Sequence, residues 1–153
     1  MLKIYQQTLS KPVNFEGIGL HSGKLAKITV KPGLADQGVI FKRIDIKKDN
    51  LIKANYKNVS TAKLCTTLEN QSGVKVSTVE HLLAALYIAE IDNAIIEINN
   101  EEVPILDGSS KVFLKELKKI KLKELNKKRK YLKILEKFEI TDGNRKISLE
   151  PTN

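Results

Sequence analysis

Helical periodicity is confined to two short stretches of this chain, and nearly everything else reads as strand or turn. Before residue 77, Lys3 to Leu9 and Pro12 to Ile18 flank a Ser-Lys-Pro turn. Leu25 to Val30 alternates apolar and polar residues until Pro32-Gly33 breaks the run. Val39 to Ile44 is a further short apolar stretch, and Leu64 to Leu68 and Val74 to Val76 bracket a turn at Asn70 to Gly73. The first helix is expected at Ser77-Thr78-Val79-Glu80, which matches the capping box S-x-x-E. Ala94 to Ile98 then has the apolar character of a buried strand. A second helix is expected from about Ser110 to Leu125, capped by Asp107 or Ser109, with Val112, Phe113, Leu117 and Ile120 as its stripe. Strands mixed with two separate helices give an α+β class.

The last 23 residues follow a different logic. Tyr131 to Ile140 and Arg145 to Leu149 surround Thr141-Asp142-Gly143-Asn144, a strong hairpin turn. A two-stranded hairpin is marginal on its own in water. Residues 127–153 are therefore expected to be a linker and the truncated start of a second domain, with the first domain at 1–126.

Charge is concentrated rather than spread. The net charge is +9, and residues 115–133 hold ten Lys/Arg against two Glu, so the rest of the chain is close to neutral. Such a segment suits a solvated helix face running into a linker. It also suits a non-catalytic α/β binding module that contacts RNA or anionic membrane. No aromatic residues interleave with the lysines to stack on bases, apart from Tyr131 at the end. The single cysteine, Cys65, forms no internal disulfide, which suits a reducing, cytoplasmic compartment. No apolar run approaches the roughly 20 residues of a membrane span, and the N-terminus lacks the apolar core of a signal peptide.

Chemistry-bearing residues are few. The chain has two histidines, His21 and His81. H-E-x-x-H is absent, and the inverted form H-x-x-E-H is missed by one residue, since Ser77 stands where its first histidine would be. Glu80 and His81 at a helix start suit either a metal ligand beside a proton acceptor or the third residue of a capping box beside an ordinary neighbour. Gly17-Ile18-Gly19-Leu20-His21-Ser22-Gly23 has three glycines in seven residues, which permits close approach of a ligand or a plain strand-connecting turn. It does not match a P-loop. Cys65 is expected in a strand as a small buried hydrophobe.

In order along the chain, G-I-G-L-H-S-G, L-C-T-T-L, S-T-V-E-H-L-L-A-A-L, I-D-N-A-I-I-E-I-N and V-P-I-L-D-G-S-S resemble the first half of the zinc-dependent UDP-3-O-acyl-N-acetylglucosamine deacetylases of lipid A biosynthesis. The resemblance implies two similar domains, each a two-layer arrangement of sheet and helices, with the active site between them. It implies hydrolysis of the acetamide on the glucosamine ring. By the same resemblance His81 is the zinc ligand given by the first domain, and Glu80 is the general base. Leu64 and Cys65 lie on a strand lining the substrate side, while Asp107 and His21 have supporting roles. The family's other two zinc ligands, a histidine and an aspartate four residues later, have no counterpart here, and neither does its acid histidine. The chain by itself is expected to bind zinc weakly and to be inactive without the missing C-terminal half.

Overall fold

The structure, a computed structural model, describes residues 4–152. Lys3, expected to open the first strand, lies outside the described residues. The order of elements is β1 (Tyr5–Leu9), β2 (Val13–Ile18), β3 (Leu25–Pro32), β4 (Val39–Arg43), β5 (Leu51–Lys53), β6 (Val59–Thr61), β7 (Thr67–Glu69), β8 (Lys75–Val76), α1 (Glu80–Ile88), β9 (Ala94–Ile98), α2 (Lys111–Leu117), β10 (Leu122–Lys128), β11 (Phe138–Asp142) and β12 (Arg145–Leu149). This is an α+β fold. A five-stranded sheet of order β2-β3-β9-β4-β5 carries the core, and within it β9 and β4 run parallel.

Alternation decides which face of that sheet is buried. Ala26, Ile28 and Val30 of β3 and Ala94, Ile96 and Ile98 of β9 are buried on one face, against Leu82, Ala85 and Leu86 of α1 and Phe113 and Leu117 of α2. Phe15 meets Phe113 edge to face at 5.0 Å between ring centroids, which joins β2 to α2. A smaller sheet, β6-β7-β8, adds Leu68 and Val76 to the same core. Arg43 is buried on β4. It donates to the Lys75 carbonyl at 2.6 Å and to both oxygens of Asp45, which ties the two sheets together. Among the described residues no helix is long and apolar enough to cross a membrane.

The second helix is shorter than its pattern suggests. It ends at Leu117, and Leu122 to Lys128 run as β10 beside β1, with Leu9 opposite Leu122 and Tyr5 opposite Lys128. The reason lies in β1, where Gln6, Gln7, Thr8 and Leu9 are all buried. Their backbone groups need partners, and β10 supplies them. The expected division after residue 126 falls inside this strand. Just beyond it, the Arg129 N–H donates to the Ile4 carbonyl, and its guanidinium pairs with Asp92 at 2.8 Å. The middle of the basic segment is thus a solvated strand.

The hairpin of β11 and β12 forms as expected, with Phe138 opposite Leu149 and Ile140 opposite Ile147. All ten of its residues are exposed. The segment from Tyr131 to Lys137, expected to open that strand, is irregular.

Gly33 marks the tightest backbone approach in the sheet, because a Cβ there would lie 2.7 Å from the Ala94 nitrogen and 2.8 Å from the Asn93 carbonyl carbon. Neither backbone atom can move without breaking β9. Gly33→Ala is expected to cost about 1–3 kcal/mol, the usual range for overpacking. Urea unfolding checks this, and a midpoint unchanged from wild type would refute it.

Candidate active site

The corner that launches α1 is built from three distant segments. Ser77 forms a parallel bridge with Glu102, its N–H donating to the Glu101 carbonyl at 2.8 Å. Thr78 then turns the chain with φ +55°, a left-handed conformation costly for a β-branched residue. Val79 caps the helix, its N–H donating to the Thr66 carbonyl at 3.4 Å, and Glu80 is the first helical residue. The expected capping box therefore does not form. Ser77 is held by its bridge, so its hydroxyl donates to the Glu101 carbonyl instead of taking a helix N–H.

Glu80 has another partner. Its Oε2 accepts the Thr66 N–H at 3.2 Å, while Oε1 has no hydrogen-bond partner among the described residues. Glu80 and His81 are both half-buried. Leu64 and Cys65, expected on a strand, lie in the bend that precedes β7. Leu64 has φ +75° and is 88% exposed, and Cys65 is half-buried with its Sγ 3.8 Å from Thr67 Oγ1, not a core residue. The Glu80 contact with Thr66 draws this bend against the helix start, which is why it cannot continue β7 backwards.

Glu102 closes the corner from the opposite side, and it is the residue sequence reasoning missed. It is 1% exposed. Its carboxylate accepts the His21 N–H at 2.9 Å, the Ser22 N–H at 2.7 Å and the Thr78 hydroxyl at 2.9 Å. A Cβ on Gly19 would overlap both Glu102 Oε2 and Ser22 Oγ. The glycine loop is thus a turn folded over an internal carboxylate, and two of its N–H donors are already taken. The His21 side chain is exposed, and only its backbone takes part. The inward parity of Ile96 and Ile98, carried past β9, lands on Glu102. That was the only local signal, since nothing else separates it from the exposed Glu101 beside it.

Asp107 supports a different helix. Its Oδ1 accepts the Ser109 N–H at 3.1 Å, and the Ser109 hydroxyl accepts the Lys111 N–H at 3.0 Å at the start of α2. The expected caps therefore act in relay from just outside the helix.

Among the described residues, no three His, Cys, Asp or Glu side chains converge to hold a metal. A catalytic zinc normally takes three protein ligands. His81 is suited by type and partial exposure to be one of them, but the donor set here falls short of a site.

An α+β domain presenting a Glu–His pair at a pinned helix start is what fold and site together define. Residues 6–153 match the family of UDP-3-O-acyl N-acetylglycosamine deacetylase, LpxC, and the chain belongs to that family. Similar curated proteins are the UDP-3-O-acyl-N-acetylglucosamine deacetylases of Geotalea uraniireducens (strain Rf4), 44% identical over 148 residues, and of Phenylobacterium zucineum (strain HLK1), 38% identical over 149. A third, from Geobacter sp. (strain M21), is 41% identical over 149 residues. Each match covers 97% of this chain but only 48%, 51% and 48% of the respective relative. The chain spans about half the length of the curated relatives it matches.

Burial by itself would raise the pKa of Glu102. The Ser22 hydroxyl, the His21 and Ser22 N–H groups and the Thr78 hydroxyl outweigh it and hold the carboxyl below its ordinary value. A depressed folded-state pKa stabilises the fold above the ordinary carboxylate range, and that contribution is lost as pH falls through the lowered value. Between about pH 7 and about pH 3, wild type should therefore lose more stability than Glu102→Gln. Urea unfolding midpoints at the two pH values measure this, and parallel losses would contradict it.

Proposed function

We propose that this chain supplies the general base and one metal ligand of a zinc-dependent deacetylase that hydrolyses the acetamide of UDP-3-O-acyl-N-acetylglucosamine. The observation that carries the reading is the state of Glu80: one carboxylate oxygen is fixed by the Thr66 N–H, and the other has no partner among the described residues. A base so oriented is ready to take the proton of an attacking water through Oε1. His81, the next residue on the same helix turn, would give one imidazole nitrogen to the metal. Zinc, when bound, contributes carbonyl polarisation and an acidified water.

In this reading Leu64 and Cys65 face the substrate from the bend that holds Glu80, with exposed Leu64 offering an apolar contact. His21 and Asp107 have supporting roles, His21 through its backbone N–H in the glycine loop and Asp107 through the turn that leads into α2. The first domain ends just past β10, and the exposed hairpin of β11 and β12 belongs to a second, related domain. That C-terminal half would bring the remaining zinc ligands and the acid that protonates the leaving amine. Activity in this reading requires both halves together, and its place of work is the cytoplasm.

A graft tests the assignment. Residues 6–153 replace the matched half of the Geotalea uraniireducens relative, and acetate release from UDP-3-O-acyl-N-acetylglucosamine is measured with zinc present. The graft should be active, and Glu80→Ala should lower kcat by about 10²–10⁴, the range for a general base. A variant within about twofold of wild type would remove Glu80 from that role.

A further inference from the structure

The geometry points to Glu102 as a positioning residue that sets the orientation of Glu80 and His81 through Thr78 and the glycine loop. This rests on the reading of the site given above. Three observations carry it.

The first is placement. Glu102 is a carboxylate buried to 1% exposure, and its partners are donors on segments that wrap the start of α1. It is satisfied by His21 and Ser22 on one side and by Thr78 on the other. No cation is among these partners, so the carboxylate acts as a hub for neutral donors rather than as half of an ion pair.

The second is the lever arm. Thr78 stands two residues before Glu80 and holds φ +55°. A β-branched residue stays in that region only where its surroundings enforce it. The Thr78 hydroxyl bond to Glu102 Oε1, at 2.9 Å, is the side-chain restraint at this point, between the backbone bonds of Ser77 to Glu101 and of Val79 to Thr66. If the hydroxyl bond is lost, the turn can relax toward an unstrained conformation and the first turn of α1 rotates. The Glu80 contact with Thr66, at 3.2 Å, is then the remaining side-chain restraint on the base.

The third is the fit around Gly19. A Cβ placed there would overlap Glu102 Oε2 and Ser22 Oγ. The loop is shaped to this carboxylate, and the Ser22 N–H reaches it at 2.7 Å. An amide in place of the carboxylate would present an NH₂ group to donors that need an acceptor.

The test uses the same grafted enzyme with Glu102→Gln, Thr78→Val and Thr78→Ser. Val keeps the shape of Thr78 and removes its hydroxyl, whereas Ser keeps the hydroxyl. Glu102→Gln and Thr78→Val should lower kcat by about tenfold to a hundredfold, as a base displaced by a fraction of an ångström does. KM should stay within about twofold, because the groups affected act on the chemical step. Thr78→Ser should remain near wild type. Amide hydrogen exchange is measured alongside: exchange at Val79 and Leu83, bonded to Thr66 and Val79, should accelerate in Glu102→Gln while β9 stays protected.

Equal kcat values for wild type, Glu102→Gln and Thr78→Val would overturn the proposal. So would a Thr78→Ser variant as slow as Thr78→Val. If the wild-type graft has no activity, the reading of the site fails, and exchange still decides the coupling: unchanged protection at Val79 and Leu83 in Glu102→Gln overturns it.

Discussion

A carboxylate removed from water must be satisfied where it lies, and Glu102 meets that demand by drawing distant segments onto itself. Burying an unpaired charge costs many kcal/mol, whereas hydrogen bonds to a charged group return about 1.5–3 kcal/mol each. Glu102 gathers N–H groups about 80 residues earlier in the chain and a hydroxyl 24 residues earlier. Much of the local structure follows from that. Gly19 has no room for a side chain, and Thr78 adopts a left-handed turn with its hydroxyl on the carboxylate. The position of α1 is set from outside the helix.

What was legible in the sequence depended on whether the deciding partner was near in the chain. Strand β9 is found where the apolar run Ala94 to Ile98 places it, because a central strand paired on both edges needs little more than such a run. The Asp142-Gly143-Asn144 turn is equally local. The capping box at Ser77 was also a local pattern, but the bridge to Glu102 overrode it. The spacing beyond Leu117 misled in the same way. Ile120 and Leu125 continue the helical stripe, yet the buried backbone of β1, far away in the chain, claims residues 122–128 as a strand. Glu80 and His81 stand out in the sequence because a carboxylate and an imidazole occupy adjacent residues at a helix start. Glu102 does not, because its meaning lies in groups that only folding brings near.

The lysines of β10 become intelligible once that segment is a strand. Its burial pattern leaves Lys123, Lys127 and Lys128 exposed on the outer strand of a two-stranded ribbon. Charged residues at such an edge discourage pairing with other chains. Arg129 is the exception. Partly buried, it donates to the Glu90 carbonyl and to Asp92, which itself accepts the Gln7 N–H, so the end of the basic segment is bound to the loop that follows α1. The high net charge thus has a structural use.

Strain is distributed so that two of its sites border the residues that hold Glu80. Several non-glycine residues have positive φ, and three of them, Asp36, Asp49 and Glu90, sit in ordinary turns or just past a helix end. The bulky or β-branched ones are Leu64, Thr78 and Leu106. Leu64 opens the bend whose Thr66 N–H holds Glu80, and Thr78 precedes the helix that carries it. Leu106 lies at the root of the glycine loop, its side chain 3.0 Å from where a Cβ on Gly17 would be. Each such conformation costs about 1–3 kcal/mol, and two of them, at Leu64 and Thr78, lie within two residues of Thr66 and Glu80 in the chain. A fold stores strain there only if its surroundings over-determine the geometry. At Glu80 the Thr66 N–H binds the carboxylate itself, and the Glu102 carboxylate holds Thr78 two residues before it. A carboxylate held in this way has its orientation set by the fold itself.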